Sequence, residues 1–317
     1  MIGILINPNS GKNRKDQFGP EVLEGILKSE AIARTISSGP AVDAALREFR
    51  DRGVDLLCVS GGDGSMHLTL SQVIAFSQQE KWELPLFYPL RGGVMNVVAN
   101  EVASRVGTPA TQCQKLLPVY QRIKAGEPPK IYPQPIMRIQ DPKLPRGETY
   151  SFTFTGAMLY RGYHAYYSGA RPTPWKALRV ASEIIFGVAT KNHWSVQTPE
   201  KLRADGQTLP FDEVLFTLAA TLRKMVLWFS PFAPIDRPLE GEFYAYCCAL
   251  SPGETIRHLY AFSRGQRKSE RLFNQTVREL TIDGRDGYTL DGEIYPRKEG
   301  YQIRITSGPT IRVLQLS

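Results

Sequence analysis

The chain has 317 residues, of which 42% are hydrophobic and 22% charged, and Lys plus Arg exceed Asp plus Glu by 39 to 31. That length allows two domains with separate cores, and that composition excludes a disordered chain. The positive balance favours anionic ligands such as nucleotide phosphates or acidic lipid headgroups. No basic stripe or recognition motif accompanies it, so nucleic acid is not an expected partner.

The first element, Ile2 to Ile6, has no basic leader or cleavage site and runs into a turn at Asn7-Pro8, so it reads as a strand. Further strands are expected at Ala31 to Ile36, Asp55 to Val59 and Leu86 to Tyr88. Between them Val22, Leu23, Ile26 and Leu27, and then Val42, Ala45, Leu46 and Phe49, fall on helical faces. Strands alternating with helices predict an open, mostly parallel α/β domain over residues 1–128, closed by Pro118 and by the proline-rich stretch Lys124 to Pro135. Beyond it the pattern changes to short runs at Ile136 to Gln140, Tyr150 to Thr155, Val214 to Thr221, Glu242 to Leu250, Glu279 to Ile282 and Gln302 to Thr306. These predict an antiparallel sandwich or meander over residues 129–317, interrupted by one helix at Trp175 to Phe186. No apolar run approaches the roughly 20 residues that cross a bilayer. The scattered Cys58, Cys113, Cys247 and Cys248 have no disulfide or metal spacing, so a cytoplasmic location is expected.

The strongest chemical signal is the strand Leu56 to Val59 running into Ser60-Gly61-Gly62-Asp63-Gly64-Ser65 and then into the helical pattern of Met66, Leu70, Val73 and Ile74. A strand, a glycine turn and a helix start form an anion site, because bare backbone can approach phosphate and the helix N-terminus offers unpaired N–H groups. An acidic residue within such a loop would repel phosphate unless a cation or a proton transfer gives it a role, which singles out Asp63. Neither the Walker spacing nor the Gly-x-Gly-x-x-Gly fingerprint fits. Two more glycine turns follow strands, Asn7-Pro8-Asn9-Ser10-Gly11-Lys12 and Arg91-Gly92-Gly93-Val94-Met95-Asn96. In an open α/β sheet the loops at the carboxyl ends of the strands share one crevice. Late in the chain, Asp283-Gly284 and Asp286-Gly287 read as hairpin turns. Asp291-Gly292-Glu293 instead brackets one glycine with two carboxylates, either of which can serve as base or magnesium partner. The segment Phe154 to Phe186 mixes Tyr160, Tyr163, Tyr166, Tyr167 and Trp175 with Arg171 and Arg179, a composition suited to a membrane interface.

Taken together, these motifs resemble the diacylglycerol kinase catalytic-domain family, which includes bacterial lipid kinases, sphingosine kinases and ceramide kinases, with NAD kinases as distant relatives. Asn7-Pro8-Asn9-Ser10-Gly11 matches its opening turn, Gly61 to Ser65 its Gly-Gly-Asp-Gly-Thr signature, Gly93 to Asn96 its Gly-Thr-x-Asn turn, and Asp291-Gly292-Glu293 its Asp-Gly-Glu motif. The resemblance implies a nucleotide domain, a β-sandwich that holds the lipid, a cleft between them with ATP and Mg2+, and a final strand (about 308–317) open to returning to the first domain. It implies a lipid kinase, with the lipid reached at a membrane surface, and leaves a homodimer open. By carry-over, Asp63 with Asp291 or Glu293 would be catalytic. Asn7, Pro8, Ser10, Gly11, Lys12, Gly61, Gly62, Gly64, Ser65, Gly93 and Asn96, with Thr35 or Ser37 after the second strand, would surround the nucleotide, and Glu240 would be a metal ligand. Ser65 stands for Thr, Val94 for a phosphate-binding Thr, Val97 for Asp and Leu68 for Glu, and an extra residue near Arg91 lengthens the third loop. A lost hydroxyl at Val94 removes roughly 0.5 to 1.5 kcal/mol. Two alternatives therefore stay open: an impaired lipid- or nucleotide-binding homologue, and a phosphotransferase of the NAD kinase kind.

Overall fold

The first strand, β1 (Ile2–Ile6), is buried at every residue, as a central strand covered on both faces must be. The computed structural model describes residues 1–16, 18–103, 107–169, 173–190, 192–225, 229–266 and 268–316, so Arg171 lies outside the described residues. The chain divides into two compact units, Met1–Gln134 with Thr310–Ser317, and Pro135–Pro309.

In the first unit β1 is followed by α1 (Gly11–Asp16), α2 (Pro20–Leu27), β2 (Ala31–Thr35), α3 (Gly39–Asp51), β3 (Leu56–Gly61), α4 (Asp63–Glu80), β4 (Leu86–Arg91), α5 (Val97–Val102) and α6 (Pro109–Lys124). The strands are parallel in the order β2-β1-β3-β4, in register from Ile2 opposite Ala31 and Leu56 to Leu56 opposite Leu86. The chain leaves β1 in one direction to form β2 and returns to its other side for β3. The carboxyl ends of β1 and β3 therefore flank a switch point of the kind that opens a crevice. α3 buries the expected Val42, Ala45, Leu46 and Phe49. Pro118 does not end the domain's last helix as expected but lies inside α6. It faces outward between buried Leu116 and Tyr120. Water can take the carbonyl it leaves without a donor, and the packing of its neighbours carries the helix onward.

The second unit comprises β5 (Ile131–Gln140, entered at Pro135), β6 (Glu148–Ser151), β7 (Thr153–Ala157), α7 (Met158–Tyr167), α8 (Pro174–Ala189), β8 (Thr198–Pro199), β9 (Lys201–Ala204), β10 (Gln207–Thr208), β11 (Glu213–Val214), β12 (Phe216–Ala220), β13 (Phe243–Cys248), α9 (Pro252–Arg257), α10 (Leu259–Ser263), β14 (Leu272–Val277), β15 (Glu279–Gly284), β16 (Gly287–Leu290), β17 (Glu293–Pro296) and β18 (Tyr301–Leu314). One sheet runs β10-β9-β15-β18 with β5 and β6 attached, and the other runs β14-β13-β12-β7-β16-β17. Met137, Ile139, Leu202, Leu280, Ile282, Ile303 and Ile305 of the first meet Phe154, Ala219, Ala245, Tyr288 and Leu290 of the second, which makes the predicted antiparallel sandwich. The far face of the second sheet is covered as well, by Met158, Val188 and Trp194 over Phe216, Leu218, Tyr244 and Tyr246. Hence β7, β12 and β13 are buried at every residue, while β9 and the start of β18 alternate between buried and exposed. The end of β18 belongs to the first unit, where Val313 lies opposite Phe87 in a parallel pair.

α8 is the helix expected at Trp175 to Phe186, but α7 is not legible in the sequence. Its residues, Met-Leu-Tyr-Arg-Gly-Tyr-His-Ala-Tyr-Tyr, are aromatic-rich with a central glycine and have little intrinsic helical preference. Packing fixes it, since a Cβ on Gly162 would sit 2.9 Å from Cδ1 of Ile184, a contact that seats α7 against α8.

An ionisable side chain lies in the core of the sandwich. Glu200 is 1% exposed; one carboxylate oxygen accepts from Thr217 Oγ1 at 2.5 Å and the other from Tyr301 Oη at 3.1 Å. Burial pushes its carboxyl up to about 7, opposed by those two hydroxyls and by Arg161 and reinforced by Asp286. The folded chain thus holds a proton that the unfolded chain releases near the ordinary value of 4.5, so this group favours the fold fully below pH 4.5 and ceases to do so as pH rises through about 7. Glu200→Gln keeps both hydrogen bonds without the charge. Urea unfolding of the variant is expected to show higher stability than wild type at pH 8 and a flatter profile between about pH 4.5 and 7; parallel profiles would contradict the assignment.

Candidate functional site

Three loops of the first unit meet where β1, β3 and β4 end. Asn13, 2% exposed, is the clamp between two of them. Its Nδ2 donates to Asn7 O at 2.8 Å and Ser60 O at 2.9 Å, and its Oδ1 accepts from Ser60 Oγ at 2.9 Å. Asn7 Nδ2 donates to Ser65 Oγ at 2.7 Å, Ser10 Oγ lies 3.2 Å from the same hydroxyl, and Gly62 N donates to Ser10 Oγ at 3.3 Å. The third loop joins through backbone, with Lys12 N donating to Gly92 O at 2.9 Å. A Cβ on Gly93 would collide with Gly62 Cα, so two bare backbones cross where no side chain fits. Asn96, in the left-handed region at φ 52°, ties its own loop by accepting from Gly93 N and donating to Gly93 O, both at 2.9 Å.

Asn7, Ser10, Gly11, Lys12, Gly61, Gly62, Ser65, Gly93 and Asn96 are thus brought into one cluster, with Gly64 in the first turn of α4. Pro8 is half-buried beside it, whereas Thr35 and Ser37 lie exposed at the end of β2 and are not drawn into the hydrogen bonds that join the three loops. Gly11 faces Val94, whose Cγ2 lies 2.8 Å from where a glycine Cβ would stand. The position that carries a hydroxyl in the pattern is therefore an apolar lid on the first loop. Lys12 reaches Gly107 O with its ammonium at 3.3 Å.

Asp63 is half-buried at the start of α4 and accepts from Val98 N at 3.1 Å, so it also holds the N-terminus of α5. Burial raises its carboxyl, against the backbone N–H groups of Val97 and Val98 and the nearby Arg91. Arg91 in turn bonds Asn100 Oδ1, and its backbone N–H donates to Gln112 at 2.8 Å. Asn13, Ser60 and Arg91 are site residues that motif reading does not select as loop clamps. Asn13 stands one residue past the Gly11-Lys12 turn, and only its burial reveals its task.

In the second unit Asp291 and Gly292 form the two-residue turn between β16 and β17, with Leu290 opposite Glu293 and φ of 48° and 86°. This is the hairpin chemistry that the sequence suggested for Asp283 and Asp286. Asp283 lies within β15, and Asp286-Gly287 carries the chain from one sheet to the other, since β15 and β16 pair with different strands. Asp291 is 5% exposed and saturated: one oxygen accepts from Ser151 Oγ at 2.8 Å and Phe152 N at 3.0 Å, the other from Thr153 N at 2.8 Å and Thr153 Oγ1 at 3.0 Å. Glu293 is half-buried, and burial alone raises its carboxyl. Tyr163 and Tyr167 of α7 border this turn, 3.5 and 3.3 Å from where a Cβ on Gly292 would stand. Glu240 is exposed on a turn before β13, and among the described residues no group of three or more His, Cys, Asp or Glu could hold a metal ion.

The glycine crossing is open to measurement. Gly93→Ala is expected to lower the thermal midpoint by several degrees, whereas Gly25→Ala, at an exposed position of α2 with open space around it, should raise stability by roughly 0.5 to 1 kcal/mol. Equal effects of the two substitutions in circular-dichroism melts would mean that the loops do not touch.

Known proteins share this architecture. Over nearly all of its length (99%) the chain has the fold of a crystal structure of a Bacillus anthracis str. Sterne protein, at 14% identity over 96% of that chain and TM-score 0.67. It has also the fold of a diacylglycerol kinase from the same organism, at 13% identity, the same coverage and TM-score 0.59. The yeast NADH kinase complexed with NADH matches at 11% identity over 82% of its chain, with TM-score 0.51. No curated protein matches the sequence. Residues 1–123 match the family model described as the diacylglycerol kinase catalytic domain, and the Asn-Pro, Gly-Gly-Asp-Gly and Asn96 turns lie within that stretch.

Proposed function

We propose that the protein is an ATP- and Mg2+-dependent lipid kinase that transfers the γ-phosphoryl group to a lipid hydroxyl of the diacylglycerol or sphingoid class. The observation that carries this reading is the side-chain-free crossing of Gly62 and Gly93 at the start of α4. It keeps side chains away from the N-terminus of α4, whose first-turn N–H groups can receive phosphate, and phosphoryl transfer needs chiefly such positioning and charge neutralisation. The matched family supports a kinase. The lipid as acceptor rests on the family likeness and on the aromatic surroundings of the Asp291-Gly292-Glu293 turn.

Asn7, Ser10, Gly11, Gly61, Gly62, Gly64, Ser65 and Asn96 shape the nucleotide loops in this reading, and Lys12 and Arg91 offset phosphate charge. Magnesium in kinases takes most of its ligands from phosphates and water and one or two from carboxylates. Asp63 is the residue that would hold it; when bound, the ion neutralises charge on the transferring group. The saturated carboxylate of Asp291 leaves it little capacity to accept a proton, and its work is to position the turn. Glu293 is therefore the base that takes the proton from the acceptor hydroxyl. Because burial raises its carboxyl, the low-pH fall of kcat/KM should come above the ordinary glutamate value of 4.5.

Val94 over Gly11 favours one competing reading, a homologue that binds nucleotide or lipid without turnover. Labelled ATP offered with acylglycerols, sphingoid bases, ceramides and NAD tests all readings at once. Lipid phosphate is the expected product; NAD phosphate alone would move the protein to the NAD kinase kind, and nucleotide binding with no product would establish the binding module. Asp63→Asn and Glu293→Gln should each lower turnover by roughly 10²- to 10⁴-fold without lowering the unfolding midpoint, since each removes a charge that burial disfavours. Asp291→Ala should lose stability as well, because it takes the acceptor from the backbone N–H of Phe152 and from the Ser151 and Thr153 hydroxyls.

A further inference from the structure

Glu293 begins a strand that has one neighbour. β16 is flanked by β7 on one side and β17 on the other, and the turn that follows it is tied down by Asp291. β17 lies at the edge of the sheet with β16 alone beside it, four residues long and ended by Pro296, which offers no N–H. Among the described residues the half-buried carboxylate of Glu293 has no hydrogen bond or ion pair, so the backbone of β17 decides where it stands.

The far end of that strand is fastened across the sandwich. Asp141 follows β5 of the other sheet, and its Oδ2 accepts from Arg297 Nε at 3.1 Å, Arg297 Nη2 at 2.7 Å and Tyr288 Oη at 2.5 Å, while its Oδ1 accepts from Lys143 N at 2.8 Å. The Asp141 and Arg297 side chains are 2% and 13% exposed, which separates this pair from surface bridges that contribute little; removing either partner would leave the other as an uncompensated buried charge. Against burial, the Tyr288 hydroxyl and Arg297 hold the Asp141 carboxyl below its ordinary value, so the pair is charged at neutral pH. Arg297 is the residue after β17, and its N–H donates to Asp286 O at 3.0 Å. Its guanidinium lies 5.4 Å from the ring of Tyr288 and 5.9 Å from that of Tyr295, two opposite residues of β16 and β17 whose rings stack 5.2 Å apart. One carboxylate from the first sheet thus grips both strands of the hairpin at its open end.

We propose that the Asp141–Arg297 ion pair fixes the edge strand β17 and through it the carboxylate of Glu293, which makes Asp141 and Arg297 positioning residues for the transfer. The inference rests on the reading of Glu293 as the base. Four residues of strand, roughly 13 Å, separate the clamp from that carboxylate. The hairpin between them is held at its turn by Asp291 and at its open end by Asp141, so freeing the open end lets β17 shift along an edge that nothing else closes. A displacement of about 1 Å in a reacting group is enough to lose about 10²-fold in rate.

Asp141→Asn and Arg297→Lys in the full chain test it, assayed with ATP and the acceptor that the wild type phosphorylates. Asp141→Asn is expected to lower kcat by about 10- to 100-fold with KM for ATP unchanged. Arg297→Lys keeps the charge without the fork of donors and should be the milder of the two. Amide hydrogen exchange, which needs no turnover, should quicken at Glu293–Tyr295 in both variants and stay as in wild type in β12. Tyr288→Phe keeps the ring stack and removes one hydroxyl; it covers the case in which Asp141→Asn does not fold, and it should lower kcat severalfold. Wild-type kcat in the folded variants, or exchange that quickens throughout the second unit together with a raised KM for ATP, would overturn the proposal. Faster exchange confined to β17 in a protein that phosphorylates no acceptor supports the clamp while the kinase reading falls, and unchanged exchange with unchanged kcat removes the clamp while the kinase reading stands.

Discussion

The crossing of Gly62 over Gly93 is the constraint around which the first unit is arranged. Two strands of a parallel sheet end side by side, and their following loops must turn back over the same crevice. They can approach this closely only because neither carries a Cβ at the contact. Once they cross, the remaining polar groups have few choices. Asn13 satisfies the carbonyls of Asn7 and Ser60, the Ser65 hydroxyl accepts from Asn7 and pairs with that of Ser10, and Asp63 holds the start of α5. A handful of short side chains thus ties the loop backbones to one another, and fixed placement is what a phosphate site built from N–H groups requires.

The second unit reaches rigidity by another route. Its inner sheet is covered on both faces, so nearly every side chain of β7, β12 and β13 is withdrawn from water and each polar group among them needs a partner. Thr155 and Thr289 meet at 2.7 Å, Glu200 takes Thr217 and Tyr301, and Asp141 takes Tyr288 and Arg297. Asp291 belongs to this series by its bonding, with both oxygens spent on Ser151, Phe152 and Thr153, whereas Glu293 two residues later carries only the penalty of burial. One hairpin turn therefore presents two carboxylates with different chemical prospects. Motif spacing treats them as equals.

The departures from the family pattern acquire a physical meaning from the same contacts. Val94 is an apolar residue folded over Gly11, so the loop keeps its closure while losing a hydroxyl. Leu68 is exposed on α4. Neither disturbs the glycine crossing or the Asp63 bond, which is why the proposed site survives them in form.

What the sequence by itself determined is what short-range chemistry controls. Parallel strands alternating with helices, the sandwich runs, the glycine turns at strand ends and the resemblance carried by Gly61 to Ser65 were all legible, because backbone freedom and hydrophobic period are local properties. Tertiary structure decided the rest. Pro118 lies within a helix because its neighbours pack, α7 is helical against its propensity because Gly162 seats it on Ile184, and Asp286-Gly287 links two sheets while Asp291-Gly292 makes the hairpin. Asn13, Glu200 and the saturation of Asp291 escaped sequence reading for one reason. Hydrogen bonds between residues tens to more than a hundred positions apart depend on which strands become neighbours, and burial, which sets the cost of leaving such groups unpaired, exists only once the chain has folded.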